Sequence, residues 1–225
     1  MNDQRLLLAV DTATRFAGIA LYDGEIIRSE MYWQSQDRHS VELMPAVVCM
    51  LDQQGISAQG LAAIAVSIGP GSFTGLRIGL SVAKGVALAQ SIPILGVPTL
   101  DIMAFPHQEQ RRPVWAIIQA GRGRLCAARY ERRRGRWRQH GGSRLTTLSG
   151  LAELLTDRCL VCGELSQDEI GYLAENVPPS VAFARACQSM RRAACLAELG
   201  WQRLERGQSD ELTTLSPIYL HGTQE

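Results

Sequence analysis

Apolar positions crowd residues 61–90, and the remaining pattern is arranged around that stretch. Residues 61–67 form a short apolar run of the kind that predicts a buried strand. Residues 72–90 predict a helix. Gly69-Pro70-Gly71 separates the two, because glycine allows the dihedrals of a sharp turn and proline fixes the next φ. Ser72 stands where a helix N-cap belongs. Within the helix, Gly75, Gly79, Ala83 and Ala87 recur every four residues and make a small-residue stripe. Glycine in a helix interior costs roughly 0.5–1 kcal/mol against alanine, so two of them imply close approach of another backbone. Leu76, Ile78, Leu80, Val82, Val86 and Leu88 make the other sides apolar too, with Arg77 and Lys84 the charges. A helix apolar all round is buried all round. It is either a central core helix or a helix with one face on a partner, and the pattern leaves both open.

Upstream, residues 6–10 are an apolar run ending on Asp11-Thr12-Ala13-Thr14, residues 16–22 a second strand, and residues 25–33 a third after an Asp23-Gly24 turn. Residues 37–54 predict an amphipathic helix capped by Asp37 or Ser40, with Pro45 tolerated only near its first turn. It carries two apolar stripes. Val41, Met44, Val48 and Leu51 form one; Leu43, Val47 and Met50 with Gln54 begin another. Two stripes imply contacts on two sides, or one deep core face. Residues 92–97 predict a strand and residues 100–105 a short helix. The Pro-flanked polar stretch 106–113 places a domain boundary, giving domains 1–105 and 106–225. The first half reads β-β-β-α-β-α-β-α, an α/β pattern feeding a mixed sheet. In the second half, residues 114–119, 125–130, 136–139 and 159–162 predict strands. Residues 149–156 and 185–206 predict helices, the last with Met190, Ala194, Ala197 and Trp201 inward.

Composition narrows the chemistry. With 46% hydrophobic and 20% charged residues the chain is globular, and it holds no apolar run of membrane-spanning length. Its N-terminus reads as the lead into a strand rather than a signal peptide, and its six cysteines fit a reduced, cytoplasmic setting. The net charge of +1 hides an uneven distribution: residues 111–138 hold ten arginines and one acid, Glu131. Arg132, Arg133, Arg134 and Arg136, near Trp115, Tyr130 and Trp137, suit RNA contacts by phosphate pairing and stacking, or else form a solvated hairpin tip. The glycines do not spell a Walker A loop, because Leu76 rather than Lys follows Gly75. A dinucleotide fingerprint would normally follow the first strand of its fold, and this one does not. Asp11 with Thr12 and Thr14 suits a metal-bound water and phosphate oxygens, or simply closes a turn. Cys159 and Cys162 lack a second ligand pair for zinc, and no two histidines stand four apart, so the metal expectation is none.

Four segments together resemble the bacterial TsaB (YeaZ) family: LAVDTATRFAGIALYDG at residues 8–24, DRHSVELMP at 37–45, SIGPGSFTGLRIG at 67–79 and SPIYL at 216–220. The third is the most specific, with Gly69, Pro70, Gly71, Ser72, Phe73, Thr74, Gly75, Arg77 and Gly79 as its signature. The resemblance implies an actin-like ATPase, ribonuclease-H-like fold of two lobes, each a mixed sheet with helices, the second degenerate. It implies no catalytic residue in this chain. The implied role is a non-catalytic subunit in making threonylcarbamoyladenosine in tRNA. It would bind and activate a TsaD-like catalytic subunit, with a TsaE-like ATPase as third member. ATP or ADP and tRNA would be met through the complex, and the chain alone would be a homodimer. The first two helices would carry the partner face: Val41, Met44, Val48, Leu51, Gly75, Leu76, Gly79 and Ala83.

The sequence departs from relatives of that fold at several points. The loop at Asp11 lacks the glycine usual in actin-like ATPases, and the H-x-x-x-H metal motif of the catalytic relatives is reduced to His107. Gln119-Ala120-Gly121-Arg122 stands where relatives often carry Asp-Ala-Arg. An ATPase or kinase using Asp11, and an RNA-binding module using residues 129–138, are the alternatives the sequence keeps.

Overall fold

The computed structural model describes residues 5–36 and 38–220. Contacts divide it into two compact units. One runs up to Thr99 and resumes at Arg192–Ile218, and the other is built on Leu100–Arg191. The expected boundary at residues 106–113 is therefore late by a helix, α3 counting with the second unit, and the chain returns to its first unit near the end. A reading along the chain has no way to show that return.

The first unit holds β1 (Leu6–Asp11), β2 (Phe16–Tyr22), β3 (Ile27–Gln34), α1 (His39–Gln53), β4 (Leu61–Ser67), α2 (Phe73–Gln90) and β5 (Ile94–Val97). Its sheet has the order β3-β2-β1-β4-β5, with the first three strands antiparallel and β4 and β5 parallel to β1. Central β1 is buried along its whole length, as a strand covered on both faces must be. Period-two alternation sorts its side chains. Leu6, Leu8 and Val10 pack with Leu43, Val47 and Met50 of α1 and Leu80, Ala83 and Ala87 of α2.

The second unit begins with α3 (Thr99–Ala104), whose first residue is the last of the first unit's opening segment. It continues through β6 (Val114–Gln119), β7 (Leu125–Arg133), β8 (Arg136–Thr146), α4 (Leu148–Leu154), β9 (Leu160–Gly163), α5 (Gln167–Asn176) and the two-residue β10 (Ala182–Phe183). The order β10-β9-β6-β7-β8 repeats the first sheet strand for strand, antiparallel and parallel pairs included. Each unit is thus a ribonuclease-H-like lobe, as expected. The second is the reduced copy, its first helix seven residues against fifteen. Val114, Ala116 and Ile118 face α3, and Trp115 and Ile117 face Leu151 of α4, Leu155 just beyond it and Leu173 of α5.

α6 (Ala193–Glu205) belongs to the first lobe and covers the sheet face opposite α1 and α2. Small residues let it lie close: a Cβ on Gly200 would stand 2.6 Å from Ala65 Cβ, and one on Gly18 3.3 Å from Ala193 Cβ. The helix expected over residues 185–206 is shorter, beginning only at Ala193. Arg192 is instead extended, and the free N–H of Ala194 is taken by Glu30 of β3 at 3.0 Å, which also pairs with the Arg192 guanidinium. The helix N-terminus is satisfied by an acid from outside it. At its far end Arg203 holds Asp210 through two hydrogen bonds of 2.9 Å and donates to the Gly96 carbonyl on β5.

Two further differences concern helices. α1 begins behind Arg38 with no side-chain cap; Ser40 lies inside it and Pro45 sits a turn deeper than expected. Its inner face, Leu43, Val47, Met50 and Leu51, holds it in place despite the missing N–H. The expected cap Asp37 lies outside the described residues. α5 was not anticipated at all, although Ser166 and Glu169 form a reciprocal capping box at its start.

Candidate functional site: a closed loop and an exposed helix face

The four motif segments converge in the first lobe. Asp11 ends β1 and accepts from the Ser67 hydroxyl at 2.7 Å and from the Ala13 N–H at 2.9 Å. Thr12 donates its hydroxyl to the Gly75 carbonyl at 2.7 Å, and the Ser72 N–H reaches the Ala13 carbonyl at 2.6 Å. His39 Nε2–H donates to the Thr14 carbonyl at 2.9 Å, bringing in the second segment. The last segment is tied on by Ile218 N–H to the Ile68 carbonyl, 2.6 Å. Ser72 caps α2 as expected, accepting from Gly75 N–H at 3.3 Å.

The glycines of the motif exist for this closeness. A Cβ on Gly75 would stand 2.2 Å from the Thr12 carbonyl oxygen, and one on Gly79 2.2 Å from the Thr12 hydroxyl. At Gly71 the obstacle is the Ala13 carbonyl, also at 2.2 Å. These spacings admit only hydrogen, so the backbone that the small-residue stripe receives is the chain's own opening loop. Gly69 adopts φ +106° beside the Ile218 carbonyl, a conformation that side chains disfavour.

This settles where the expected residues lie. Asp11, Thr12 and Thr14, read as nucleotide-binding, are buried at 1%, 1% and 3% exposure, and their loop lies against α2. The geometry closes the loop with hydrogen bonds to the chain itself. Of the eight residues expected at a partner face, Gly75, Leu76, Gly79, Ala83 and Leu51 are buried in the lobe's interior, so the small-residue stripe is a core feature here. Val41, Met44 and Val48 are exposed at 57%, 40% and 49%. The outward side of α2 adds Phe73, 54% exposed with the Arg77 guanidinium 3.6 Å over its ring, and half-buried Ile78 and Val82. Ile78 and Val82 are thus each offset by about 100° from the stripe residue that follows them, and Phe73 by about 200° from Gly75. α1 and α2 pack on each other, so these apolar side chains share one side of the lobe.

Known proteins resemble this chain along nearly its whole length. A family model described as "TsaD: tRNA N6-adenosine threonylcarbamoyltransferase" matches residues 33–194. A Bacillus subtilis protein named tRNA threonylcarbamoyladenosine biosynthesis protein TsaB is 32% identical over 95% of this chain and 93% of its own. The chain belongs to the TsaB (YeaZ) family. The Escherichia coli member is 36% identical over 56% of this chain and 55% of its own length. YeaZ from Pseudomonas aeruginosa superposes with a TM-score of 0.78 at 27% identity, covering 96% of this chain and 100% of that one. The ethanolamine utilization protein EutJ from Carboxydothermus hydrogenoformans, at 13% identity and TM-score 0.53 over 87% of this chain and 90% of its own, shares the fold alone.

The other singled-out residues of this TsaB-family chain are dispersed. His107 bonds the Gln188 carbonyl at 2.9 Å, and burial holds its imidazole below the ordinary value. His140 lies on the arginine-rich hairpin, and His221 is outside the described residues. Cys159 and Cys162 lie in apolar clusters on opposite faces of the second sheet, as strand alternation predicted. Burial pushes their thiols up to about 11 and about 12, which makes them inert apolar fillers. Gln119, where relatives often carry an acid, donates to the Glu164 carbonyl at 2.9 Å and to Glu169 at 3.1 Å, bracing the start of α5. Sequence reasoning missed the Arg191–Glu164 pair, buried at 1% and 5% side-chain exposure in the second lobe.

Proposed function

We propose that this chain takes part in the biosynthesis of threonylcarbamoyladenosine in tRNA as a non-catalytic assembly subunit. Its exposed α1–α2 face binds and activates a TsaD-like catalytic subunit, and a TsaE-like ATPase completes the set. Its TsaB relatives carry that pathway in their names. The observation that carries the reading is the contrast within the first lobe. The loop that would hold a phosphate is closed by the chain's own bonds, while Val41, Met44, Val48 and Phe73 lie open to solvent on packed helices. Clustered exposed apolar side chains favour a protein partner. The same face would serve a homodimer when the chain is alone, so homodimer and heteromer would compete. Residence in the cytoplasm follows from the tRNA substrate. Any ATP or ADP would be met through the complex.

The test is an omission series: threonylcarbamoyl transfer to tRNA with this chain alone, with the TsaD and TsaE subunits alone, and with all three, under constant supply of threonylcarbamoyl-adenylate. Turnover in the complete set only is the expected result. ATP hydrolysis or tRNA modification by this chain alone would favour the ATPase reading instead.

A further inference from the structure

The β7–β8 ribbon of the second lobe is two-faced. Cross-strand register places Arg133 opposite Arg136, Glu131 opposite Arg138 and Arg129 opposite His140 on one face. On the other face Tyr130 and Trp137 stack at 6.1 Å and pack onto the core, which fixes the ribbon and turns the charged face outward. Glu131 is the one acid of the ribbon and is already shared between Arg133 and Arg129, and Arg129 also pairs with Asp157 at 3.4 Å. Arg134, Arg136 and Arg138 make no ion pair among the described residues.

A second basic depression lies on the same lobe. Arg132 reaches the Gln108 carbonyl at 3.0 Å and Glu109 at 2.8 Å, and Glu109 borders a depression lined by Arg111, Arg112 and Arg158. Those three also lack ion pairs among the described residues. Six guanidinium groups with no ion pair among the described residues thus lie on the second lobe, three lining each depression. Like charges opposite one another in a ribbon destabilise it, and arginine is the side chain best shaped for phosphate.

We propose that this surface is a phosphate-backbone binding site for RNA, with Arg134, Arg136 and Arg138 gripping one stretch of backbone and Arg111, Arg112 and Arg158 the next. Within the reading above, which this inference rests on for the choice of RNA, the ligand is the tRNA itself. The contact is sequence-independent: the groups present donate to phosphate oxygens, and both tryptophan and tyrosine of the ribbon are turned into the core.

The experiment is fluorescence anisotropy of a labelled tRNA transcript with the purified full chain over about 50–300 mM KCl. Log affinity should fall linearly with log salt. The R134E/R136E/R138E chain should bind about tenfold or more weakly at low salt, with a slope reduced by roughly two, since each lost phosphate contact removes about 0.7–0.9. The control reverses three exposed arginines elsewhere, R15E/R185E/R206E, and should bind nearly as the parent does. Circular dichroism should show both variants folded. Salt-independent or absent binding by the parent, or equal weakening by both variants, would overturn the proposal. The assay contains no catalytic subunit, so such a failure leaves the omission series untouched.

Discussion

At the residue scale, the glycines of α2 differ in purpose. Gly75 and Gly79 press on Thr12, whereas Gly85 has nothing within 4 Å of a built Cβ. Gly75→Ala should therefore cost about 2–3 kcal/mol, because backbone must move to admit the methyl. Gly85→Ala should stabilise by roughly 0.5–1 kcal/mol through helix propensity. Urea denaturation of the two variants checks both signs, and a similar cost for each would show that the stripe is not held against the opening loop. The sequence announced the stripe and that a backbone must lie against it. It did not announce whose backbone, because Thr12 and Gly75 are 63 positions apart and meet only in the folded lobe.

At the scale of elements, helix ends and edges were the hardest to read. α2 runs over the stretch its pattern predicted, since apolar periodicity, a break and a cap agree there. α6 starts eight residues late because its N-terminus is set by Glu30 on a distant strand. The α5 capping box was visible as Ser166 and Glu169 but was overlooked behind a weakly apolar segment. The C-terminal end of α6 makes a pH prediction. Burial alone would raise the Asp210 carboxyl, but hydrogen bonds from Arg203 and the Gly96 N–H outweigh it and hold it below its ordinary value. A carboxyl depressed in the fold adds stability above its unfolded pKa and loses it as pH falls through the folded one. Asp210→Asn should lower thermal stability at pH 7 by about 1 kcal/mol, the group being only partly buried, and the gap to the parent should close below about pH 4. A gap that persists in acid would mean that the pair does not act through charge.

At the scale of the molecule, the duplicated strand order was legible for the first lobe and only partly for the second. Strands β6, β7 and β9 lie where alternation predicted, but β10 has two residues and leaves no periodic trace. The crossing of α6 back to the first lobe is a topological fact with no local signal. Exposure was half legible: of the stripe Val41, Met44, Val48 and Leu51, the first three lie outward and Leu51 is buried, while on α2 the glycine stripe faces the interior and Phe73, Ile78 and Val82 lie on the outer side. Charge on this exposed face should leave folding intact. Met44→Glu with Val48→Glu should melt within a few degrees of the parent, since surface changes usually move stability by less than about 0.5 kcal/mol each.

That double variant gives the most direct measurement of the central claim. In the reconstituted reaction with TsaD and TsaE subunits, the M44E/V48E chain replaces the parent and threonylcarbamoyl transfer to tRNA is followed. Turnover should fall to the level seen with no such chain added, while the variant remains folded and no longer elutes with the catalytic subunit. Full turnover by the folded variant would contradict the account, and would place the essential contact elsewhere on the molecule.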